Sequence, residues 1–451
     1  MQKINLLDNR IYRNLIMLSL PIMCTSFIQM SYTLMDTFWV GKLGTEAIAA
    51  VGIVSFIVWF AQSVVLIPKT GIEIGVSYSI GAKDDKQFKI YIASSITIGL
   101  FLAFILGCIF YFFRIEIVKF FNIKNDLVIN NAIKYLKIVI LGLPFVFLNP
   151  IFSGIFNGSA NSKIPFIANS IGLFLNIILD PILIYGYFGF FSFGVEGAAI
   201  ATVFSQFVVT VIFLIFSFFN KKILKGLNLF SNFSVSISKE IIKLGVPIAF
   251  KSFIFAFIST ILLRIIANYG QSAVAAENVA VQIEAINWMS VEGFSIALCT
   301  LVSQNYGAKN YKNIIQGYKK GLRIILSIGV FCMLFLFFSS TYIINLFVKS
   351  DNIQTIKDAI SYLKILAFSE IFLSLEIGIS GMFNGLKNTK TPTIISTICN
   401  ALRIPLAFLA YSLGLTIDYI WFVISFCTFL KGMLNYIFFK RFIKKNFDFE
   451  L

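Results

Sequence analysis

Ser153–Pro165 reads SGIFNGSANSKIP, and Ser380–Pro392 reads SGMFNGLKNTKTP, an offset of 227 (380 against 153). YLKI at Tyr135 recurs at Tyr362 with the same offset. Farther upstream the offset becomes 226. VSYSIGAKD from Val76 matches VSQNYGAKN from Val302, and LGTEAIAAVG from Leu43 matches YGQSAVAAEN from Tyr269. LPIMCTSFIQM from Leu20 matches VPIAFKSFIFA from Val246, placing Pro21 on Pro247. A register held across loops through five stretches predicts an internal duplication.

Between these landmarks the chain is apolar. Of 451 residues, 58% are hydrophobic and 13% charged, against about 25% charged in a soluble domain; mean hydropathy is +0.88. Twelve stretches reach the length needed for a hydrocarbon core of about 30 Å: residues 14–40, 46–70, 88–113, 129–152, 164–187, 194–218, 240–267, 274–300, 316–342, 356–382, 391–412 and 415–439. Each copy holds six. Six is even, so both copies enter the bilayer in the same sense, as parallel repeats about an axis along the membrane normal. The predicted fold is an all-α polytopic membrane protein, with twelve transmembrane helices in two six-helix bundles related by a pseudo-two-fold. An N-lobe covers 1–218, a cytoplasmic linker 219–238 and a C-lobe 239–451. The polar, basic N-terminus precedes an apolar run too long for a signal-peptide core, so the first span is expected to stay.

The net charge of +16 does not describe a nucleic-acid surface, because it alternates along the chain. With the N-terminus inside, 23 Lys and Arg fall in inside loops, among them Lys83, Lys86, Lys89, Lys221, Lys222, Lys319 and Lys320. Only Lys42, Arg114, Lys119, Lys124, Lys349 and Lys357 fall outside. That is the positive-inside pattern, with both termini cytoplasmic in a plasma membrane. The chain contains no histidine, which removes His metal sites, Ser-His-Asp triads and His relays. No other catalytic pattern is present, so an enzyme is not expected. Six cysteines show no CxxC spacing and read as small core residues.

Asp36 is the only ionisable carboxylate or base between Leu15 and Val40. Such a residue is costly in a membrane and marks a functional site by default. It lies roughly 10 Å below the outer surface at 1.5 Å per residue, with Tyr32 one turn earlier on the same face. On the fifth span Asp180 reaches a similar depth, Asn176 precedes it by one turn, and Pro181 frees the carbonyl of Ile177. Thr202 on the sixth span is level with them. Two carboxylates among neutral oxygens suit Na⁺; they equally suit a shared proton. The alternative is that each polar group bonds only to its own backbone.

The duplication supplies an internal comparison. Asp36 maps to Leu262, Asn176 to Arg403 and Asp180 to Ala407, so the ion site is expected in the first half alone. Arg403 reads either as a built-in positive charge or as a structural hydrogen-bonder. The second half has acids of its own, Glu277, Glu284 and Glu292 on the eighth span and Glu376 on the tenth. Glu284, Glu292 and Glu376, with Gln282, are the candidate substrate-cleft residues. Glu284 and Glu292 could instead be solvated or paired with Lys251 or Arg264. Glu73 is read as interfacial.

P-x14-D-T-x3-G-x2-G from Pro21 to Gly44, GAK at Gly81 and Gly307, the two FNG…K-x-P segments, N-x3-D-P at Asn176–Pro181 and GAAIAT at Gly197–Thr202 occur in this order. In this the chain resembles the multidrug and toxic compound extrusion (MATE) transporters over nearly its whole length. The resemblance implies export of organic cations and drugs by alternating access in exchange for Na⁺ or H⁺. It implies a monomer in the lipid bilayer, with no resident cofactor, metal or nucleic-acid partner. It is closest in pattern to the DinF-like branch, whose ion or proton site falls here on Asp36, Tyr32, Asn176, Asp180 and Thr202. The NorM-like branch carries a Glu where this chain has Phe255 and an Asp where it has Leu373, with Glu376 one turn away. The same superfamily includes flippases of lipid-linked oligosaccharides, an alternative cargo.

Overall fold

The computed structural model describes residues 4–8, 10–189, 191–219, 223, 227–229, 231–347 and 353–447. Lys3, Lys221, Lys222, Lys225 and Lys349 of the charge pattern, and part of the 219–238 linker, lie outside the described residues. The first copy forms α1 (Ile11–Gly41), α2 (Thr45–Gly81), α3 (Asp85–Phe112), a short α4 (Arg114–Lys119), α5 (Asp126–Gly158), α6 (Lys163–Tyr185) and α7 (Val195–Phe219). The second forms α8 (Val235–Ala267), α9 (Gln271–Gly307), α10 (Tyr311–Phe347), α11 (Ile353–Ala367), α12 (Glu370–Gly385), α13 (Lys390–Ala401), α14 (Arg403–Ser412) and α15 (Ile417–Phe447). Among the described residues, eleven helical segments are long and apolar enough to cross a membrane, with α13 and α14 counted together as one. The pair α11–α12, bent by 55° at its break, makes a twelfth. At that break Ser369 donates its hydroxyl to the Leu366 carbonyl, a local bond that competes with the helical ladder.

The duplication persists turn by turn. Gly44 and Gly270 open α2 and α9 with φ of 116° and 110°, a conformation open to glycine because it has no Cβ. After α2 and α9, Lys83 and Lys309 turn left-handed at 56° and 57°; after α5 and α12, Ala160 and Lys387 do so at 57° and 59°. Each turn is closed by a bond reaching back five residues. Asp84 N donates to Ser79 O and Asn310 N to Asn305 O; Asn161 N donates to Phe156 O and Asn388 N to Phe383 O. This is the Schellman way of satisfying the last carbonyls of a helix.

Helix pairing repeats as well. A Cβ on Gly158 would lie 2.9 Å from Glu73 O, and one on Gly385 would lie 2.7 Å from Cys299 O, the equivalent atom. A turn earlier, Gly154 meets Lys69 O and Gly381 meets Ser295 O. Small residues spaced by four let α5 sit against α2, and α12 against α9, at backbone contact, which is how helices associate where lipid removes the hydrophobic drive. Glu73 belongs to this seam and is buried. The helix α2 continues two turns past it, to Gly81.

The chain forms two compact units. One comprises Cys24–Ala249; the other comprises Asn5–Met23 together with Phe250–Leu451. In the first unit, cores gather around Val54, Leu136 and Phe147, and around Tyr91, Phe152 and Phe156, with Phe213 stacked on both phenylalanines. The start of α8 belongs here: Gly245 abuts the Ile67 backbone and Gly71 abuts Ile241. In the second unit, Ile266, Ala276, Tyr362 and Trp421 form the core. The start of α1 belongs there. Asn305 Nδ2 donates to Leu6 O at 3.0 Å, Asn313 Nδ2 donates to Leu7 O at 2.9 Å, and Gly293 abuts Met23. Each of these two helices changes unit just past its equivalent proline, Pro21 or Pro247.

Candidate functional site

In the first unit, α1, α6 and α7 bring four side chains together around one amide. Asn176 Nδ2 on α6 faces Asp36 Oδ1 at 3.3 Å, Asp180 Oδ1 at 3.2 Å and Thr202 Oγ1 at 3.5 Å. Thr202 donates its hydroxyl to Asp36 Oδ2 at 3.2 Å. Asn176 and Asp180 are one turn apart on one helical face, and both are 0% exposed. Asp36 and Thr202 are half-buried. An amide nitrogen has two hydrogens for three acceptors, so the carboxylates are only loosely held.

Three oxygens in this cluster have no hydrogen-bond partner among the described residues: Asp180 Oδ2, Asn176 Oδ1 and the Tyr32 hydroxyl. Tyr32 is buried and lies against α6 rather than bonding the carboxylates. A Cβ on Gly172 would be 2.3 Å from the Tyr32 hydroxyl and 2.4 Å from Val209 Cγ2. The missing side chain at Gly172 is thus what admits the phenol, one turn below Asn176. Among the described residues, no lysine or arginine is among the groups acting on Asp36 or Asp180. Two carboxylates and unpartnered neutral oxygens, without a fixed cation, make a donor set for a hard cation or a proton.

Tyr135 on α5 is a further member. It is buried and close enough to both carboxylates to feel their charge. Its only sequence signal was its place in the repeated YLKI motif, as the equivalent of Tyr362. A second polar group in this unit is neutral. Asn149 Nδ2 donates to Gln206 O at 2.9 Å and to Gln206 Oε1 at 2.7 Å, and Thr210 donates to Asn149 Oδ1 at 2.7 Å.

Of the second-half candidates, Glu284 and Glu376 both lie close enough to Lys431 to act on its charge. Glu284 on α9 accepts from the Tyr362 hydroxyl at 3.0 Å and is half-buried, as is Glu292; Gln282 is exposed. Glu376 is buried and paired with Lys251 at 2.6 Å. Arg403 Nη2 donates to Thr428 Oγ1 at 2.9 Å, while its Nε has no partner among the described residues. Glu370, which no sequence pattern singled out, is buried and accepts from Asn287.

A sequence model of the MatE family matches residues 21–182 and, again, 247–409. A probable multidrug resistance protein NorM of Thermotoga maritima is 28% identical over 411 residues, covering 90% of this chain and 87% of that protein. The multidrug export protein MepA of Staphylococcus aureus is 24% identical over 444 residues, covering 95% and 94%. Among solved structures, a crystal structure of MATE in complex with MaL6 superposes with a TM-score of 0.90 at 22% identity, covering 99% of both chains. The outward-facing conformation of a multidrug resistance MATE family transporter of the MOP superfamily superposes with a TM-score of 0.87 at 22% identity, covering 99% and 98%.

Proposed function

The chain belongs to the MatE family, and from that membership we propose that it is a secondary active multidrug exporter. It moves organic cations and drugs outward in exchange for Na⁺ or H⁺. The observation that carries the coupling half of this reading is the cluster of Asp36, Asn176, Asp180 and Thr202, with its unpartnered oxygens and no internal cation. Confinement of that cluster to the first half, with Phe255 and Leu373 in the second, supports a DinF-like rather than a NorM-like arrangement. The Lys and Arg bias supports cytoplasmic termini in a plasma membrane.

The geometry orders the steps. Asp36 is partly exposed and Asp180 fully buried, so an entering cation meets Asp36 first and is then shared with Asp180. The Asn176 amide, which bridges the carboxylates, can present Oδ1 to the cation in place of its N–H. Thr202 holds the outer oxygen of Asp36 meanwhile, and Tyr32 and Tyr135 close the buried side. No resident cofactor enters. Exchange follows if the cation and the drug stabilise different states of the transporter.

The test is ethidium efflux from vesicles under imposed Na⁺ or pH gradients. Efflux should respond to one of the two. Efflux insensitive to both would sink the antiport reading.

A further inference from the structure

In the second unit a buried carboxylate already has a cation covalently supplied. Lys251 Nζ on α8 and Ser396 Oγ on α13 both reach Glu376 Oε1, each at 2.6 Å. The Glu376 side chain is 4% exposed and that of Lys251 is 29%, so the pair is open only from the lysine side. The other charged and titratable groups facing Glu376 are Lys431 on α15, which forms no ion pair within 4.0 Å among the described residues, and Cys399 on α13. In the first repeat the equivalent positions are Thr25 and Asn149, and Asn149 sits in a neutral network with Gln206 and Thr210. The two repeats are complementary. In the first, no lysine or arginine among the described residues acts on Asp36 or Asp180; in the second, Glu376 and Lys251 lie together.

We propose that Lys251 is a tethered cation occupying the place of an exchangeable one, and that Glu376 is a latent site for a monovalent cation or proton in the second repeat. Burying a charged carboxylate in a membrane protein is costly without a positive partner, and a lysine on a flexible stem supplies one as a point charge. While Lys251 is present, the second repeat has no need of an ion from solution at this position. This inference concerns Glu376 alone, and it stands or falls independently of the coupling role given to Asp36.

The experiment uses the purified full-length chain carrying Asp36→Asn, so that a cation bound in the first unit is not counted. Lys251→Ala is added, and the melting temperature is followed with NaCl, with ethylammonium chloride (which replaces the lost ammonium), and with falling pH. The expected result is a lowered Tm in choline buffer that recovers saturably with at least one of the three. The recovery should disappear when Glu376→Gln is added. Recovery by Na⁺ or ethylammonium identifies a cation site; recovery by acid alone identifies a proton site. A Tm indifferent to all three overturns the proposal, as does recovery that persists without Glu376. If Lys251→Ala yields no folded protein, Lys251→Thr with Glu376→Asn installs the first-repeat pair. A folded double variant supports charge compensation. An unfolded one shows that the pair acts through packing and overturns the proposal.

Discussion

Replacing Asp36 by Asn separates folding from coupling more sharply than any other change. The amide keeps one oxygen, so either Asn176 or Thr202 retains its acceptor at position 36 and the other loses it. Whichever contact is lost is long (3.3 or 3.2 Å) and at a half-buried site, so the folding cost is about 1 kcal/mol. Removing one of two neighbouring carboxylates also relieves their mutual repulsion, which offsets part of that cost. A bound cation fares differently. At about 4 Å and an effective dielectric constant near 20, one carboxylate attracts it by roughly 4 kcal/mol, or about a 10³-fold change in affinity. The Asp36→Asn chain should therefore fold, give an unchanged circular dichroism spectrum, and lose gradient-driven ethidium efflux from vesicles. Isotope binding should show cation affinity lower by about three orders of magnitude. Retained efflux, or affinity within about tenfold of the parent, would refute the assignment of Asp36 as a cation ligand.

Gly172→Ala should press on the Tyr32 hydroxyl and on Val209, lowering stability by about 1–3 kcal/mol, read as a lower Tm, and lowering cation affinity with it. Tyr135→Phe should leave the fold intact and shift cation affinity by less than about tenfold, the scale of one hydrogen bond; binding isotherms on the purified variant check this. Asn149→Ala leaves the Thr210 hydroxyl without one of its acceptors and Gln206 Oε1 without its donor. It should cost about 2 kcal/mol in thermal unfolding, with the Na⁺ or pH response of efflux retained.

The duplication was legible because its signals sit in turns, where backbone conformation dictates residue type. Gly44 with Gly270 and the GAK turns carry that register directly. The gathering of Asp36, Asn176, Asp180 and Thr202 was legible because a polar group at membrane depth is expensive enough to be conspicuous. Tyr135 was not, since a tyrosine in an apolar helix looks like any other aromatic. Tyr32 was placed near the carboxylates, but its seat against Gly172 depends on how α1 meets α6, and no pattern along either helix states that. The Lys251–Glu376 pair spans 125 residues and was missed: along the sequence Lys251 was a possible partner for Glu284 or Glu292, not for Glu376. Burial of Glu73 was missed because hydropathy marks where a span fits the bilayer, whereas α2, 37 residues long, runs about 55 Å and packs protein on protein past that limit. The division of α1 and α8 between units was also invisible, since the repeat boundaries in the chain suggest that each copy packs only with itself.

That division bears on biogenesis. Asn5–Met23 is translated well before its packing partners, Gly293, Asn305 and Asn313, which are made some 270 or more residues later. At about 5–20 residues per second, synthesis leaves that segment waiting for tens of seconds. The first unit in turn cannot close until Ala249 has been translated, after the second copy has begun. Expressing either repeat alone therefore yields a fragment with one foreign half-helix and one missing half-helix.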